Sequence, residues 1–175
     1  MKKFLLISPL IVLCIITAFG FASLYQHKKN IPIVIKLQLG EKVLVPEFSI
    51  SELYNQAATF SNQDLKNQYS IINIFASWCS SCKAEHKLLM QLFDEKKINI
   101  YGIAWMDIDY NTKEYLSQNG NPYLKIGLDS KGVFSKIMGI KAVPESFIVD
   151  THGKIIYHQE GMIDEKFISF VNKIL

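Results

Sequence analysis

Residues 4–25 are apolar almost without a break, bounded by Lys2 and Lys3 on one side and His27, Lys28 and Lys29 on the other. A helix of that length crosses the roughly 30 Å hydrocarbon layer of a bilayer. Pro9 lies near its start, where a helix tolerates proline. The expectation is an uncleaved N-terminal transmembrane helix. A cleaved signal peptide, with small residues at Ala18, Gly20 and Ala22 for a peptidase, is the alternative. Lysines on both flanks leave the positive-inside count undecided.

Beyond this run the pattern changes. Residues 30–45 read as a linker. Pro46-Glu47-Phe48-Ser49-Ile50 reads as a short edge strand with proline first, where a missing N–H is harmless. Residues 60–66 predict a turn and a short helix, with Ser61 to cap it and Asp64 in its first turn. Residues 69–76 form a β-branched and aromatic run that predicts a buried central strand. Residues 80–95 predict an amphipathic helix, with Ala84, Leu88, Leu89, Leu92 and Phe93 on its apolar face. A strand is expected over 98–104. A helix is expected over 112–119, capped by Asn111 or Thr112 and closed by Gly120. A strand over 123–128 and a short helix over 133–138 come next. Two strands over 146–149 and 155–158 are joined by Asp150-Thr151-His152-Gly153, a hairpin by its turn residues. A helix over 163–174, apolar at Phe167, Ile168 and Val171, ends the chain. The order indicates one α/β sheet flanked by helices. The domain boundaries read as 1–29 for anchor and flank, 30–45 for the linker and 46–175 for the folded domain.

Composition adds little to the fold but narrows the function. About half of the 175 residues are apolar, enough for a packed core. Net charge is +3, and no arginine occurs. Without guanidinium forks for phosphates or base edges, nucleic-acid binding is not expected. Three cysteines are too few for a disulfide scaffold. Cys14 lies in the apolar run and reads as a buried thiol. A lipoprotein site needs a small residue directly before the cysteine, and Leu13 stands there.

The chemistry points to Ser77-Trp78-Cys79-Ser80-Ser81-Cys82, where the predicted central strand gives way to a helix. A helix N-terminus presents unpaired N–H groups and the positive end of a dipole. A thiolate at Cys79 is stabilised there and attacks disulfides readily. Cys82 comes one turn later and is placed to resolve the mixed disulfide. Trp78 offers an apolar rim. Far along the chain, Val143-Pro144 precedes a strand. A cis bond at this dipeptide, costing only about 0.5–1 kcal/mol before proline, turns the Val143 backbone outward to pair with an extended substrate.

Three stretches then resemble the CcmG/DsbE family, thioredoxin-like reductants of cytochrome c maturation. They are Phe75-Ala-Ser-Trp-Cys-Ser-Ser-Cys-Lys-Ala-Glu-His86, Gly120-Asn-Pro-Tyr123, and Val143-Pro-Glu-Ser-Phe-Ile-Val-Asp150 with Gly153. The resemblance covers about residue 46 to the C-terminus. It implies a thioredoxin-like fold with an αβ insertion over roughly 112–128. It implies an inner-membrane protein with a single anchor and a periplasmic C-terminal domain. Such a protein keeps apocytochrome c cysteines reduced and is itself re-reduced by a DsbD- or CcdA-type transmembrane donor. Acidic residues around the family's active site correspond to Glu85 and Glu145. The chain departs from the family at Ser80, where proline is usual. It carries Asn73 where thioredoxin has a buried aspartate, so Glu85 or Glu145 is expected to serve Cys82 as acid–base support.

No cofactor beyond the Cys79–Cys82 redox pair and no resident metal is expected. The alternatives are a generic exported thioredoxin-like reductase with other clients, and a copper metallochaperone using Cys79, Cys82 and His86 with His152 or His158. Glu85 and His86 read as a rim pair on the helix, and Asp107 and Asp109 as an exposed turn. Trp105, Met106 and Tyr110 read as packing residues, with a substrate groove as the other reading.

Overall fold

The structure, a computed structural model, describes residues 2–29, 33–38, 41, 43–95 and 98–175. Helix α1 (Lys2–Lys29) belongs to one unit, Met1–Pro32, and Ile33–Leu175 forms the other. The described side chains of α1 are 9, 11–23 and 25, a shorter piece than the apolar run in the sequence. Among the described residues, no helix is long and apolar enough to cross a membrane.

The stretch expected as a linker is partly structured. Helix α2 (Ile33–Gln38) and strand β1 (Val43–Leu44) form within it, and Ile33, Val34 and Val45 are buried. The packed unit thus begins earlier than residue 46, because these apolar side chains cover one face of the sheet. The rest of that stretch, 30–32, 39, 40 and 42, lies outside the described residues.

Strand β2 (Ser49–Ser51) starts later than Pro46 and pairs with β3 (Thr59–Ser61) in a separate two-stranded sheet. A 3₁₀ turn over Asn62–Leu65 follows, capped by the Ser61 hydroxyl with Asp64 answering to the Ser61 N–H. Strand β4 (Ser70–Phe75) is buried along its whole length. Helix α3 (Ser80–Asp94) and strand β5 (Asn99–Trp105) complete a parallel βαβ unit. Helix α4 (Asp109–Asn119) begins before Asn111. Its N-cap is Ile108, and its first turn is helped by Asp109. Gly120, with φ +88, closes it.

Next come β6 (Lys125–Asp129), α5 (Val133–Met138), β7 (Glu145–Val149), β8 (Lys154–Glu160) and α6 (Glu165–Ile174). The six-stranded sheet runs β1-β8-β7-β4-β5-β6. Strands β4, β5 and β6 are parallel, while β7 runs antiparallel to both β4 and β8.

Alternation along β4 builds two cores. Ile71 and Phe75 point to the face covered by α3, α4 and α6, and Ile72 and Ile74 to the face covered by α2 and α5. Asn73 shares the first face.

Helix α3 buries a side shifted from the one its hydrophobicity predicts, sharing Leu89 and Leu92 with it. Its buried residues are Cys82, Glu85, His86, Leu89 and Leu92, while Ala84, Leu88 and Phe93 are exposed. Glu85 and His86 are not a rim pair, because their polar atoms find partners inside.

Candidate active site

Strand β4 ends at Phe75, and the chain turns through Ala76–Trp78 before α3 begins. The turn is tied twice. The Cys79 N–H donates to the Ala76 carbonyl at 3.1 Å. Ser77 donates its backbone N–H to Asp107 Oδ2 at 2.6 Å and its hydroxyl to Asp107 Oδ1 at 3.0 Å. Asp107 is buried, contrary to the exposed turn expected for it. It follows β5 by two residues, as Ser77 follows β4. Adjacent parallel strands bring their C-terminal ends side by side, and this is the sequence signal that could have found Asp107.

Cys79 is the N-cap of α3. Its sulfur accepts from the Cys82 N–H at 3.1 Å and lies 3.3 Å from Ser81 Oγ. Cys79 and Cys82 form a disulfide. With no proton on either sulfur, the Ser81 hydroxyl is the donor in its pair. The Cys79 sulfur lies 3.5 Å from the Val143 carbonyl oxygen. The Val143–Pro144 bond is cis. Trp78 is 57% exposed and its indole N–H donates to the Met106 carbonyl at 3.4 Å. Cys79 itself is only 5% exposed in this disulfide form.

Behind Cys82, one turn along α3, Glu85 is 1% exposed. Residues three apart on a helix share a face, so its carboxyl group lies on the Cys82 side. Glu85 Oε1 accepts from Asn73 Nδ2 at 2.9 Å, and Oε2 accepts from the Ile163 N–H at 2.9 Å. Burial pushes the Glu85 acid up from 4.5 to about 7, and the two hydrogen bonds oppose that rise. Glu85 thus takes up or gives up a proton near neutrality.

Glu145 is placed elsewhere. Ser146 faces Asn73 across the β4–β7 ladder, and Glu145, one residue earlier, bonds to His158 Nε2 at 2.8 Å. His158 in turn stacks on Phe147 at 4.5 Å, in the core of the opposite sheet face. The two acids predicted from sequence are therefore not brought together. His86 bonds to the Gly120 carbonyl at 3.1 Å and packs edge-on against Tyr115. Burial lowers its affinity for a proton.

Among the described residues, no group of three or more His, Cys, Asp or Glu is arranged to hold a metal. Trp105 is partly buried, packing in the core that α5 covers, whereas Met106, whose carbonyl meets the Trp78 indole, and Tyr110 are exposed. Sequence reasoning did not find Asp107, Ser146 or the Ile163 N–H.

Residues 38–174 match the Redoxin family. The chain is 32% identical to the thiol:disulfide interchange protein DsbE of Haemophilus influenzae, over 95% of this chain and 91% of that one. It is 29% identical to the thiol:disulfide interchange protein DsbE of Pseudomonas aeruginosa, over 95% and 89%. Among solved structures, a secreted thiol-disulfide isomerase from Corynebacterium glutamicum superimposes with a TM-score of 0.67 at 18% identity, over 75% of this chain and 84% of that one, a likeness of fold. With a disulfide at the N-terminus of α3 in a thioredoxin-like sheet, and relatives of this kind along almost its whole length, the chain belongs to the Redoxin family as a DsbE/CcmG-type protein-disulfide oxidoreductase.

Proposed function

We propose that this protein is a membrane-anchored reductant in the periplasm that keeps apocytochrome c cysteines reduced for haem attachment. A DsbD- or CcdA-type transmembrane donor re-reduces it. The arrangement supporting this reading most directly is the Cys79–Cys82 pair at a helix N-terminus with a near-neutral buried acid behind it.

The chemistry balances without a cofactor. In the dithiol form the Cys79 thiolate, favoured by the helix end and by the Cys82 N–H, attacks one sulfur of a client disulfide. One client thiolate leaves and a mixed disulfide forms. Glu85, as carboxylate, takes the Cys82 proton. The Cys82 thiolate then attacks the Cys79 sulfur and expels the second client sulfur, which takes up a proton. Two electrons and the Cys82 proton pass to the client, the first client thiolate takes its proton from solvent, to which Cys79 had released its own, and the Cys79–Cys82 disulfide is left behind. The Val143 carbonyl, beside Cys79, is the acceptor for an extended client backbone, while Trp78 flanks the path.

The exported location rests on the apolar run over residues 4–25 and its lysine flanks. Surroundings of that kind are oxidising, so a reductant needs a dedicated donor. The copper metallochaperone reading is less well supported. His86 is bonded to the Gly120 carbonyl and His158 to the Glu145 carboxylate, so a metal would have to displace these partners.

Trapping tests the client. Cys82→Ser should accumulate a mixed disulfide through Cys79, with apocytochrome c as the bound partner. A different set of trapped clients would replace the proposal with a broader reductase. The reduction potential tests direction: a value near about −270 mV fits a reductant, and one near about −120 mV makes the protein an oxidant.

A further inference from the structure

Tyr123 has no part in the reaction just described, yet it is buried in the same core as the redox helix. Its hydroxyl donates to Asn73 Oδ1 at 2.8 Å. Asn73 then spends both amide protons, one on Glu85 Oε1 at 2.9 Å and one on Ser146 Oγ at 3.0 Å. An asparagine amide is nearly symmetrical in shape but not in chemistry. Turned over, it would present its oxygen to the Glu85 carboxylate.

From this geometry we infer that Tyr123, acting through Asn73, is a positioning residue that keeps an N–H donor aimed at the Glu85 carboxylate and so sets the pH at which Cys82 gives up its proton. The inference rests on the proposed role of Glu85 and deepens it.

Three observations carry it. First, Tyr123 stays protonated because burial and the nearby Glu85 push its ionisation well up, and its proton goes to Asn73 Oδ1, so turning the amide would take that acceptor away. Second, the ring has a built place. Gly102 is the register partner of Asn73 on β5, and a Cβ there would lie 2.9 Å from Phe75 Cε1 and 3.0 Å from Tyr123 Cγ. The Tyr123 ring stacks on Phe75 at 4.8 Å. Third, both Glu85 oxygens meet N–H donors, Asn73 Nδ2 and Ile163 N, so these donors favour the anion against the burial that favours the acid.

Other titratable groups around Glu85 are few. Tyr115 of α4 is pushed up to about 12 and stays neutral, with Lys83 over its ring at 5.9 Å. His86 of α3 is kept neutral by burial and bonds to Gly120. Cys82 of α3 is in the disulfide. Strand β7 offers only the Ser146 hydroxyl, and the segment before α6 only a backbone N–H. The orientation of Asn73 is therefore the adjustable element.

The test is a carbon-13 carboxyl titration of the oxidised full-length chain in detergent micelles, with the Glu85 signal assigned by its loss in Glu85→Gln. Tyr123→Phe should raise the Glu85 midpoint by about half to one pH unit. Asn73→Ala should raise it in the same direction, and adding Tyr123→Phe to Asn73→Ala should give no further shift. An unchanged midpoint in Tyr123→Phe, or an equal shift on the Asn73→Ala background, overturns the inference.

Should Tyr123→Phe fail to fold, the unmodified chain still decides. The Asn73 side-chain amide signals should titrate with the Glu85 midpoint and show no rotational averaging, and averaging would overturn the inference. A separate readout, the pH profile of mixed-disulfide resolution, tests the underlying role of Glu85. If Tyr123→Phe moves the Glu85 midpoint but leaves that profile in place, positioning by Tyr123 stands and Glu85 is not the base. If both move together, both readings stand.

Discussion

Glu85 is the residue whose burial is hardest to reconcile with its chemistry, and stability should register it. Folded, the acid titrates at about 7 against an ordinary 4.5. Between those values the native state holds a proton that the unfolded chain has released. Stability from this group is therefore full below about pH 4.5 and falls as pH rises, with the loss complete above about 7. The difference corresponds to about 3 kcal/mol as an order of magnitude. Glu85→Gln removes the titration while its side chain satisfies only one of the two facing N–H donors. Denaturant unfolding of the oxidised chain at pH 4.5, 6 and 8 is the measurement. The wild-type advantage over the variant should shrink steadily with pH. His86 and Asp64 work in the other direction, because lowered proton affinity in the folded state costs stability as pH falls. Subtracting the variant's curve removes them, and two parallel curves would show that the Glu85 carboxyl is not perturbed.

Helix α3 shows what the pattern of apolar residues can and cannot reveal. Its span follows from the strand before it, the N-capping Cys79 and its apolar spacing. Its buried face was legible only in part: Leu89 and Leu92 lie inside as hydrophobicity indicates, but Ala84, Leu88 and Phe93 do not, and a satisfied acid and imidazole take their place. The central strand, the short helix over Val133–Met138 and the β7–β8 hairpin were legible, since each is a local signal bounded by turn residues. The redox pair was legible too, as a motif at a strand-to-helix junction. What escaped was whatever depends on contacts between distant segments: the Asp107 tie to Ser77, the Ser146 hydroxyl and the Ile163 N–H. A pair of truncations reads the true face of α3. Leu89 is 1% exposed and Leu88 is 37% exposed. Leu89→Ala should cost about 2–5 kcal/mol as a cavity in the core. Leu88→Ala should cost about 0.5 kcal/mol or less. Equal losses in chemical denaturation would return the helix to the face that hydrophobicity assigns.

At the scale of the whole chain, the two units divide the work. All the redox groups and both apolar cores lie within Ile33–Leu175. A chain beginning at residue 33 should therefore unfold at the same denaturant concentration as the full chain and reduce a small soluble disulfide at the same rate. The proposed anchor would matter at a different step. A donor embedded in the bilayer meets a tethered domain at a high local concentration and a free one only by diffusion through the compartment. In cells, the shortened chain, exported behind a cleavable signal, should leave the membrane fraction and stand mainly as the Cys79–Cys82 disulfide. The full chain should resist carbonate extraction and stand mainly as the dithiol. Thiol alkylation before lysis, followed by a gel shift, separates the two forms. Release of the full chain by carbonate would defeat the anchor. A shortened chain that stays fully reduced would show that the donor reaches the domain without a tether. Loss of activity toward the small disulfide would mean instead that residues 1–32 support the fold, against the division into units.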